Sequence, residues 1–509
     1  MSANVGSFLH RWAQQAPERT AIVDSGRDSL PLSYGELDRQ AARVAAHLRE
    51  RGLGPGDRVA ICTANGLDFV AAWFGTVYAG CTTLPIPVMS TAHEIAFRLQ
   101  HAGCEALLTD ADRSAVAHES KTRAGTSLDV VLIEDAIAHA KDEAPPCDVS
   151  PGSLAMLLYT SGTTGAAKGV CITHESLGTH TRALVEQTLQ LTGEDRILGT
   201  LPLTHSYGIR MTLLAPFCAG ASTVFVPKFS PSRTLELCTT HRITWLPGVP
   251  TMFVAWANEH AQPTPPSLRW CMSAGAPLVE DVRLRAETRL GAPVRQGYGL
   301  TEATFTTINA PPDGAVPGSS GKPVAGVDLR IADDFGEELP QGVHGEVLIR
   351  GQNVMAGYLD EKLATAHVMR GDWLHTGDVG FVDEEGRLTI ADRTKDLILR
   401  GGASIYPSEI ENVLAHHPAI HDVAVVGQLD DYYGEEIVAV IVRKADVTAQ
   451  ELDAWVREQL APYKVPRRYA FIEALPQGTS GKTLKRQLRD QLVSGELSAE
   501  SLLTHGPTK

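Results

Sequence analysis

The hydrophobic pattern begins with a helical stripe near the N-terminus. Leucine, alanine and valine recur every three or four residues over positions 37–48, which places them on one face of a helix. Ser33 and Glu36 form a capping-box pattern just before the stripe, and Gly52 suits its C-terminal end. The pattern therefore predicts an amphipathic helix between residues 33 and 52.

Strand-like and helix-like runs then alternate along the chain. Residues 58–62 form a short apolar run typical of a buried strand, and residues 69–77 continue with a helical run. This alternation favours a layered α/β architecture with a largely parallel sheet. We therefore predict the α/β fold class.

The last part of the chain reads as a separate compact unit. Residues 423–426 and 437–442 are strand-like, whereas the strand-like run between the glycines at 345 and 351 belongs to a β-rich segment before this unit. Thr448 and Glu451 form a second capping box before a helical stripe. We predict a large multi-subdomain α/β domain over residues 1–392 and a small α+β domain over residues 393–509.

Composition and charge narrow the function classes. The 509 residues are 43 % apolar and 21 % charged, an ordinary globular composition, and the formal net charge is −15. We predict no nucleic-acid partner, because phosphate contacts need an excess of Lys and Arg. The charge reverses locally, since residues 464–489 hold seven basic residues and one acidic residue.

Cysteine usage and targeting signals favour a cytoplasmic protein. The eight cysteines form no CxxC pair, which argues against a zinc finger, a redox dithiol or a disulfide scaffold. The first 25 residues lack the apolar stretch of a signal peptide. The longest uncharged run, residues 69–92, is interrupted by glycine and proline, so we predict no transmembrane segment.

The densest cluster of reactive residues follows an apolar run at positions 154–158. Five hydroxyls, three glycines and a lysine occur between Tyr159 and Gly169, which suits polyphosphate binding. The loop is not a Walker loop, because Lys168 is followed by glycine instead of Ser or Thr. A flexible Ser/Gly turn is the alternative. The predicted phosphate ligands are Thr160, Ser161, Gly162, Thr163, Thr164, Gly165 and Lys168.

This loop resembles the phosphate-binding signature of the adenylate-forming superfamily, which includes acyl-CoA synthetases, peptide-synthetase adenylation domains and luciferases. That signature usually has proline before the lysine, where this chain has Ala167. The other signatures follow in the expected order, and the resemblance extends from about residue 33 to residue 486. It is closest to a free-standing acyl-CoA synthetase.

Residues 297–302 resemble the adenine and magnesium motif of that superfamily. The resemblance implies that Tyr298 and Gly299 contact the adenine, that Thr301 contacts the reacting phosphate, and that Glu302 binds Mg²⁺. By itself, a tyrosine between glycines would more often be a packing device. A second segment, similar to the one that passes along the adenine and the acyl pocket, contains Gly275, Ala276 and Pro277.

Three further motifs complete the resemblance. Residues 375–378 match the motif in which an aspartate, here Asp378, accepts the ribose hydroxyls. Arg393 is implied to touch the ribose, with the interdomain hinge near Lys395. Gly402 is implied to let the pantetheine thiol approach, and the motif at residues 479–482 supplies the catalytic lysine, Lys482.

The resemblance implies an AMP-forming acid–CoA ligase. ATP, Mg²⁺ and CoA are the expected cofactors and co-substrates, and a carboxylic acid is activated as its acyl-adenylate before transfer to the thiol. Both reacting partners are anionic, so catalysis is largely positioning and charge neutralisation. The small domain is expected to rotate between the two steps.

The identity of the acid is less constrained. Peptide-synthetase domains carry an Asp after the segment equivalent to residues 201–203, and this chain has none there. We favour a medium-chain fatty or aryl acid, with a dicarboxylic acid as an outsider if Arg210 binds a second carboxylate. A structural role for Arg210 is the favoured alternative. The pocket candidates are His205, Tyr207, Trp245, Val249, Pro250, Thr251, Ser273 and Phe305.

Two other functions stay open at this stage. A stand-alone adenylating enzyme could load a separate acyl or peptidyl carrier protein, and the basic segment at residues 464–489 suits CoA phosphates and an acidic carrier protein equally well. A non-enzymatic nucleotide sensor is disfavoured because Lys482, Glu302 and Asp378 are all present. The resemblance implies a catalytic role for His205, at a superfamily position that gates ATP and thiol access, and a structural histidine is the alternative.

Overall fold

The computed structural model describes residues 3–26, 31–140, 143–160, 167–310, 314–333, 335–393, 396–400, 403–430, 433–478 and 483–501. The chain divides into two compact units. The first comprises Met1–Leu329 and Ile349–Leu374, and the second comprises Arg330–Leu348 and His375–Lys509. The predicted boundary between residues 392 and 393 concerns where the chain pivots, and it stays a prediction.

The N-terminal part of the first unit alternates helices and strands as the sequence predicts. The elements in chain order are α1 (Ser7–Gln15), β1 (Thr20–Asp24), β2 (Pro31–Ser33), α2 (Tyr34–Glu50), β3 (Arg58–Cys62), α3 (Leu67–Ala79), β4 (Thr82–Pro85), α4 (Ala92–Ala102), β5 (Ala106–Thr109), α5 (Ser114–Ala124), β6 (Asp129–Leu132) and α6 (Ile133–His139).

The middle of the chain continues this alternation and contains two π-helical segments, Leu184–Leu189 and Ile209–Leu214. The other elements are β7 (Leu154–Thr160), β8 (Lys168–Thr173), α7 (His174–Ala183), β9 (Arg196–Gly199), α8 (Ser206–Gly208), α9 (Ala215–Ala219), β10 (Ser222–Phe225), α10 (Pro231–Thr240), β11 (Trp245–Gly248), α11 (Pro250–Ala257), β12 (Trp270–Ala274), α12 (Glu280–Leu290), β13 (Val294–Leu300), β14 (Ala303–Ile308) and β15 (Lys322–Pro323).

The remaining elements are mostly strands. They are β16 (Val327–Ala332), β17 (Gly345–Gly351), β18 (Gly357–Tyr358), α13 (Lys362–Val368), β19 (Met369–Arg370), β20 (Trp373–Val382), β21 (Leu388–Arg393), β22 (Ile398–Arg400), β23 (Ala403–Ile405), α14 (Pro407–Ala415), β24 (Ile420–Asp430), β25 (Gly434–Arg443), α15 (Ala449–Arg457), a 3₁₀ turn (Pro462–Lys464), β26 (Arg468–Ile472), α16 (Lys485–Ser494) and β27 (Glu500–Ser501).

Two sheets with parallel centres organise the first unit. Within the described residues, one has the strand order β15-β14-β13-β12-β11-β9-β10-β1-β2 and the other β18-β8-β7-β4-β3-β5-β6. The inner pairs are parallel, whereas β13–β14 and β7–β8 are antiparallel. The helices bury their apolar faces on the strands; for example, Ile95 and Leu99 of α4 share a buried cluster with Leu107 of β5.

The second unit contains a six-stranded sheet, counted over the described residues, with β23, β22, β25, β26 and β27 in order and β24 paired with β25. Its helices α14 and α15 cover one buried cluster, which includes Ile410 and Leu452, and α16 covers another through Leu488 and Leu492. The α+β character predicted for the C-terminal region is therefore present.

Local signals at helix ends are confirmed by the structure. Ser33 and Glu36 form both hydrogen bonds of a capping box at the start of α2, and Thr448 and Glu451 do the same at α15. These bonds satisfy backbone N–H groups that a helix start leaves without partners. None of the helices within the described ranges combines the length and apolar composition needed to cross a bilayer.

Candidate active site

The phosphate-binding signature occupies a β-hairpin near one edge of its sheet. Thr160 ends β7, Lys168 begins β8, and the two residues are cross-strand partners. The pairing therefore holds the two ends of the signature side by side. The other predicted phosphate ligands lie outside the described residues: Ser161, Gly162, Thr163, Thr164 and Gly165.

Helix α4 supports the strand that leads into this loop. The hydroxyl of Tyr159 lies 2.6 Å from Nδ1 of His101, whose ring stacks on Phe97. Burial raises the pKa of Tyr159, so its hydroxyl keeps its proton at neutral pH. The residue immediately before Thr160 is thus held by a hydrogen bond to a helix of the N-terminal region.

The adenine and magnesium motif lies in a second antiparallel hairpin, between β13 and β14. Tyr298 lies near the end of β13, and Thr301 and Glu302 form the turn. A Cβ atom at Gly299 would lie 2.5 Å from the backbone nitrogen of Phe305, so only glycine fits this close approach. The hairpin geometry explains why the motif needs glycine at this position.

A tyrosine that the sequence analysis missed connects these two hairpins. The Tyr358 hydroxyl donates a 2.8 Å hydrogen bond to Oε1 of Glu302. The Nζ atom of Lys168 lies 5.0 Å from the centroid of the Tyr358 ring, within cation–π range. A tyrosine in a two-residue strand has no distinctive sequence signature, so only the fold reveals this contact.

The residues around Glu302 fit a magnesium ion that is bound together with a nucleotide. Within the described ranges, no group of three or more His, Cys, Asp or Glu side chains could form an all-protein metal cage. Mg²⁺ commonly binds one or two carboxylates and completes its shell with phosphate oxygens and water. Glu302 supplies an anionic oxygen ligand of that kind, and Lys168 Nζ lies 5.0 Å from the centroid of the Tyr358 ring whose hydroxyl binds Glu302.

An aromatic pair forms the core of the predicted acyl region. The rings of Tyr207 and Phe305 meet edge to face with centroids 5.3 Å apart. The Tyr207 hydroxyl lies 2.8 Å from the carbonyl oxygen of Met272, and its backbone N–H donates to Nδ1 of His205. The structure therefore brings His205, Tyr207 and Phe305 into one connected group.

The remaining pocket candidates divide between a turn and the core. Gly275 follows β12 with a φ of +95°, a left-handed conformation that favours glycine, and Ala276 and Pro277 continue the turn. Trp245 is fully buried and packs edge-on against Trp270. Trp245 is thus a core residue. Ser273, one residue before the end of β12, is buried as well. Val249, which precedes α11, and Pro250 and Thr251, which begin it, are more exposed.

Arg210 has a structural role in the π-helical segment Ile209–Leu214. It is 1 % exposed, and its guanidinium donates to the carbonyl oxygen of Leu177 and to the hydroxyls of Thr181 and Thr304, at 2.5–3.0 Å. Burial lowers the pKa of Arg210 to about 9. These bonds join three elements of the core, which supports the structural alternative over a role in binding a second substrate carboxylate.

The ribose motif lies in the second unit and is held by a glutamate. Oε2 of Glu346 lies 2.7 Å from Nδ1 of His375, and Oε1 accepts the Gly377 N–H at 3.0 Å. The Thr376 hydroxyl in turn accepts the N–H of Asp378, which is 4 % exposed. Glu346 therefore holds the part of β20 that contains Asp378, although no sequence motif pointed to it.

Several predicted site residues of the second unit lie wholly or partly outside the described part of the chain. Asp378 and Arg393 are cross-strand partners in the β20–β21 pair, but the Arg393 side chain lies outside the described part. Gly402, Lys395 and Lys482 also lie outside it. Their assigned roles stay predictions.

The basic segment at residues 464–489 is extensively ion-paired inside the second unit. Every described Lys and Arg of this segment lies 2.6–3.9 Å from a carboxylate of the same unit. The positive charge that the sequence suggests for a ligand or carrier protein is thus largely neutralised locally. The pairs are Lys464–Glu409, Arg467–Glu436, Arg468–Asp430, Lys485–Glu411, Arg486–Asp490 and Arg489–Asp396.

Comparison with known proteins agrees with this arrangement. A family model described as "AMP-binding enzyme" matches residues 9–359, and one described as "AMP-binding enzyme C-terminal domain" matches residues 409–482. The chain is 35 % identical to a feruloyl-CoA synthase of an Amycolatopsis species, over 95 % of this chain and 98 % of that protein. It is 33 % identical to a long-chain-fatty-acid–CoA ligase of Bacillus subtilis strain 168, over 95 % of this chain and 94 % of that protein.

A solved structure extends the similarity to three dimensions. The O-succinylbenzoate coenzyme A synthetase MenE of Bacillus subtilis, in complex with ATP and magnesium ion, matches with a TM-score of 0.85 at 31 % identity. The match covers 95 % of this chain and 99 % of that one.

Proposed function

Because the chain belongs to the AMP-binding enzyme family and is an AMP-forming acid–thiol ligase using ATP with magnesium, we propose that it joins an aryl or medium-chain fatty acid to CoA. The adenylate-forming resemblance and the predicted α/β fold class are confirmed by the family matches and the solved structure. The identity of the acid and the residue roles below are our proposals.

The reaction proceeds in two displacements. An oxygen of the substrate carboxylate attacks the α-phosphorus of ATP, the bond to the pyrophosphate oxygen breaks, and acyl-adenylate and pyrophosphate form. The sulfur of CoA then attacks the acyl carbon, AMP leaves, and the thiol proton passes to solvent. Since carboxylate and ATP are both anionic, positioning and charge neutralisation supply most of the catalysis.

We assign the nucleotide-binding roles to the two hairpins of the first unit. Lys168 and the hydroxyls of its loop contact the ATP phosphates, Tyr298 contacts the adenine, and Glu302 holds Mg²⁺, which neutralises phosphate charge. The cross-strand pairing of Thr160 with Lys168 and the bond from Tyr358 to Glu302 support these roles. In the second unit, we assign the ribose to Asp378.

We also propose that residues 393–509 pivot near Lys395 and carry Lys482 to the carboxylate and α-phosphate for the first step. The pair between Arg489 and Asp396, 3.0 Å apart, supports this assignment. It joins the residue just after the hinge to α16, the helix that follows the catalytic-lysine motif. The chain after the hinge can therefore turn as one body.

The edge-to-face pair of Tyr207 and Phe305 is the observation that carries the substrate proposal. An aromatic wall suits an aryl ring or an alkyl chain, because both bury apolar surface on binding. Arg210 gives no reason to expect a second carboxylate on the substrate, since its guanidinium donates to a carbonyl and two hydroxyls of the core. The named activities of the feruloyl-CoA and fatty-acid–CoA relatives point the same way.

The test is acid-dependent pyrophosphate release across a panel of benzoates, cinnamates, saturated C6–C12 acids and short dicarboxylic acids. CoA is then added and the thioester is measured. We expect release and thioester formation with the aryl or fatty acids. Release with dicarboxylic acids alone would overturn the substrate proposal, and an adenylate that never reaches CoA would make a carrier protein the acceptor.

A matched pair of variants tests the aromatic wall. Phe305→Leu should lower kcat/KM for the best acid about tenfold, because one altered apolar contact discriminates substrates roughly 10–200-fold. The KM for ATP should stay within about twofold. Phe335→Leu, the same change at a side chain that is 92 % exposed, should leave both parameters unchanged.

A further inference from the structure

Tyr358 lies between the two charged groups that the proposed function assigns to the nucleotide. Its hydroxyl donates to Oε1 of Glu302 at 2.8 Å, and Lys168 Nζ lies 5.0 Å from its ring centroid. Glu302 is the proposed magnesium ligand and Lys168 the proposed phosphate ligand. One side chain thus contacts the acidic and the basic part of the site together.

The backbone around Tyr358 is held by both hairpins. Residues 357 and 358 form β18, which pairs antiparallel with β8 so that Tyr358 lies opposite Val170. Just before β18, the N–H of Met355 donates to the carbonyl oxygen of Glu302 at 2.8 Å. The Tyr358 N–H donates to the hydroxyl of Thr365 at 2.9 Å. The ring is therefore presented from a fixed position relative to Glu302 and Lys168.

The acceptor of the Tyr358 hydroxyl is the carboxylate of Glu302. A hydrogen bond to a carboxylate is stronger and shorter than one between neutral groups. The bond occupies one oxygen of Glu302 and leaves the second as a ligand for a cation.

We propose that Tyr358 is a positioning residue that orients Glu302 for the magnesium ion of the nucleotide while its ring holds Lys168. The inference rests on the proposed role of Glu302. A tyrosine with only a packing role would be replaced by phenylalanine without any effect that depends on the metal, so the hydroxyl can be tested separately from the ring.

The experiment measures ATP binding by calorimetry with Mg²⁺ and with EDTA, which needs no turnover. The ratio of the two dissociation constants reports how much the metal strengthens binding. Tyr358→Phe keeps the ring and removes the hydroxyl, so we expect the ratio to fall about tenfold, as the loss of one charge-assisted hydrogen bond predicts. Metal-free ATP binding should stay within about twofold.

Two further variants separate the ring from the hydroxyl. Tyr358→Leu also removes the surface under Lys168, so metal-free ATP binding should weaken as well, about threefold to tenfold, the range of one cation–π contact. Tyr463→Phe makes the same change as the phenylalanine variant at a half-exposed tyrosine. It should leave both constants unchanged.

Glu302→Gln keeps failure of this inference distinct from failure of the proposed function. If Mg²⁺ still strengthens ATP binding to this variant as much as to the unchanged protein, Glu302 does not bind the metal, and the proposed role of Tyr358 is overturned as well. If Glu302→Gln abolishes the strengthening of ATP binding by Mg²⁺ while Tyr358→Phe leaves it unchanged, only the role of Tyr358 is overturned. If the proposal holds, the variant that combines Tyr358→Phe with Glu302→Gln binds ATP with Mg²⁺ no more weakly than Glu302→Gln alone, because the two residues act through one interaction.

Discussion

Glu346 holds the part of strand β20 that contains Asp378, the predicted ribose ligand. Its two carboxylate oxygens contact different partners, the His375 ring and the Gly377 N–H, at 2.7 and 3.0 Å. A carboxylate can accept at both oxygens, whereas a glutamine side chain has only one acceptor oxygen. The arrangement therefore depends on the charged form of this residue.

Glu346→Gln should weaken recognition of the ribose selectively. We expect the ratio of kcat/KM for ATP over 2′-deoxyATP to fall about fivefold, the equivalent of one hydrogen bond of about 1 kcal/mol. The ratio is measured by pyrophosphate release. If Glu346 had a purely structural role, the substitution would lower kcat/KM equally for ATP and for 2′-deoxyATP. Glu384→Gln, at an exposed position in the turn after β20, is the control.

His174 makes the stability of the first unit depend on pH. It is 1 % exposed at the start of α7, and its Nδ1 accepts the Val5 N–H at 3.2 Å. Burial lowers the pKa of His174 from 6.5 to about 4. Between these values the unfolded chain binds a proton that the folded chain excludes, so stability is full above pH 6.5 and declines as pH falls towards 4.

His174→Asn should remove this part of the acid sensitivity, since the amide oxygen can still accept the Val5 N–H but does not titrate. The pKa difference predicts that the loss of unfolding free energy between pH 7 and pH 5 becomes smaller by about 2 kcal/mol. Urea-induced unfolding at both pH values measures it. An unchanged pH dependence would contradict the buried-histidine explanation, and His118→Asn, at an exposed histidine, is the control.

At the scale of elements, strand β25 carries a buried acid in the sheet of the second unit. Glu436 is 0 % exposed and lies 2.7 Å from Arg400 and 3.8 Å from Arg467. The two guanidinium groups also lie 4.5 and 4.9 Å from the ring centroid of Tyr433. The cluster joins β22, β25 and the segment before β26, so it helps to place the chain next to the predicted glycine loop.

Glu436→Gln should destabilise the protein by about 3 kcal/mol, because losing one partner of a buried ion pair leaves an uncompensated charge. Glu458→Gln, at an exposed position after α15, should change stability by less than about 0.5 kcal/mol. Chemical unfolding of the two variants measures the difference. Equal stability would show that water or other groups neutralise Arg400 and Arg467 without Glu436.

At the scale of the whole molecule, the proposed pivot separates two chemical steps. Lys482→Ala should abolish adenylate formation, because the lysine would bridge the carboxylate and the α-phosphate. It should retain much of the thioester formation from chemically prepared acyl-adenylate, because under the proposed pivot that step uses the other orientation of the small domain. Pyrophosphate release and thioester formation measure the two steps separately, and an equal loss of both would contradict the rotating-domain assignment.

The charge distribution of the whole chain differs between the linear sequence and the folded protein. The basic segment at residues 464–489 suggested a surface for CoA or an acidic carrier protein. The described Lys and Arg residues of that segment instead pair with acids of their own unit, including Glu409, Glu411 and Asp430. A linear charge count cannot show this, because partners such as Lys464 and Glu409 are 55 residues apart.

Features that depend on neighbours along the chain can be predicted from the amino-acid sequence. The capping boxes of α2 and α15 and the strand at residues 58–62 follow from short-range geometry. The ordered motifs were enough to identify the adenylate-forming superfamily and its chemistry. Each of these signals lies within a few residues, so no folding pattern is needed to read it.

Contacts between residues that are far apart in the sequence depend on the folded chain. Tyr358 and Glu302 are 56 residues apart and meet because β18 pairs beside the phosphate hairpin. The sequence left open whether Arg210 binds a substrate carboxylate, and in the fold its guanidinium is hydrogen-bonded to Leu177, Thr181 and Thr304. Side-chain roles of this kind depend on burial and on contacts across elements, and these arise only when the chain packs into three dimensions.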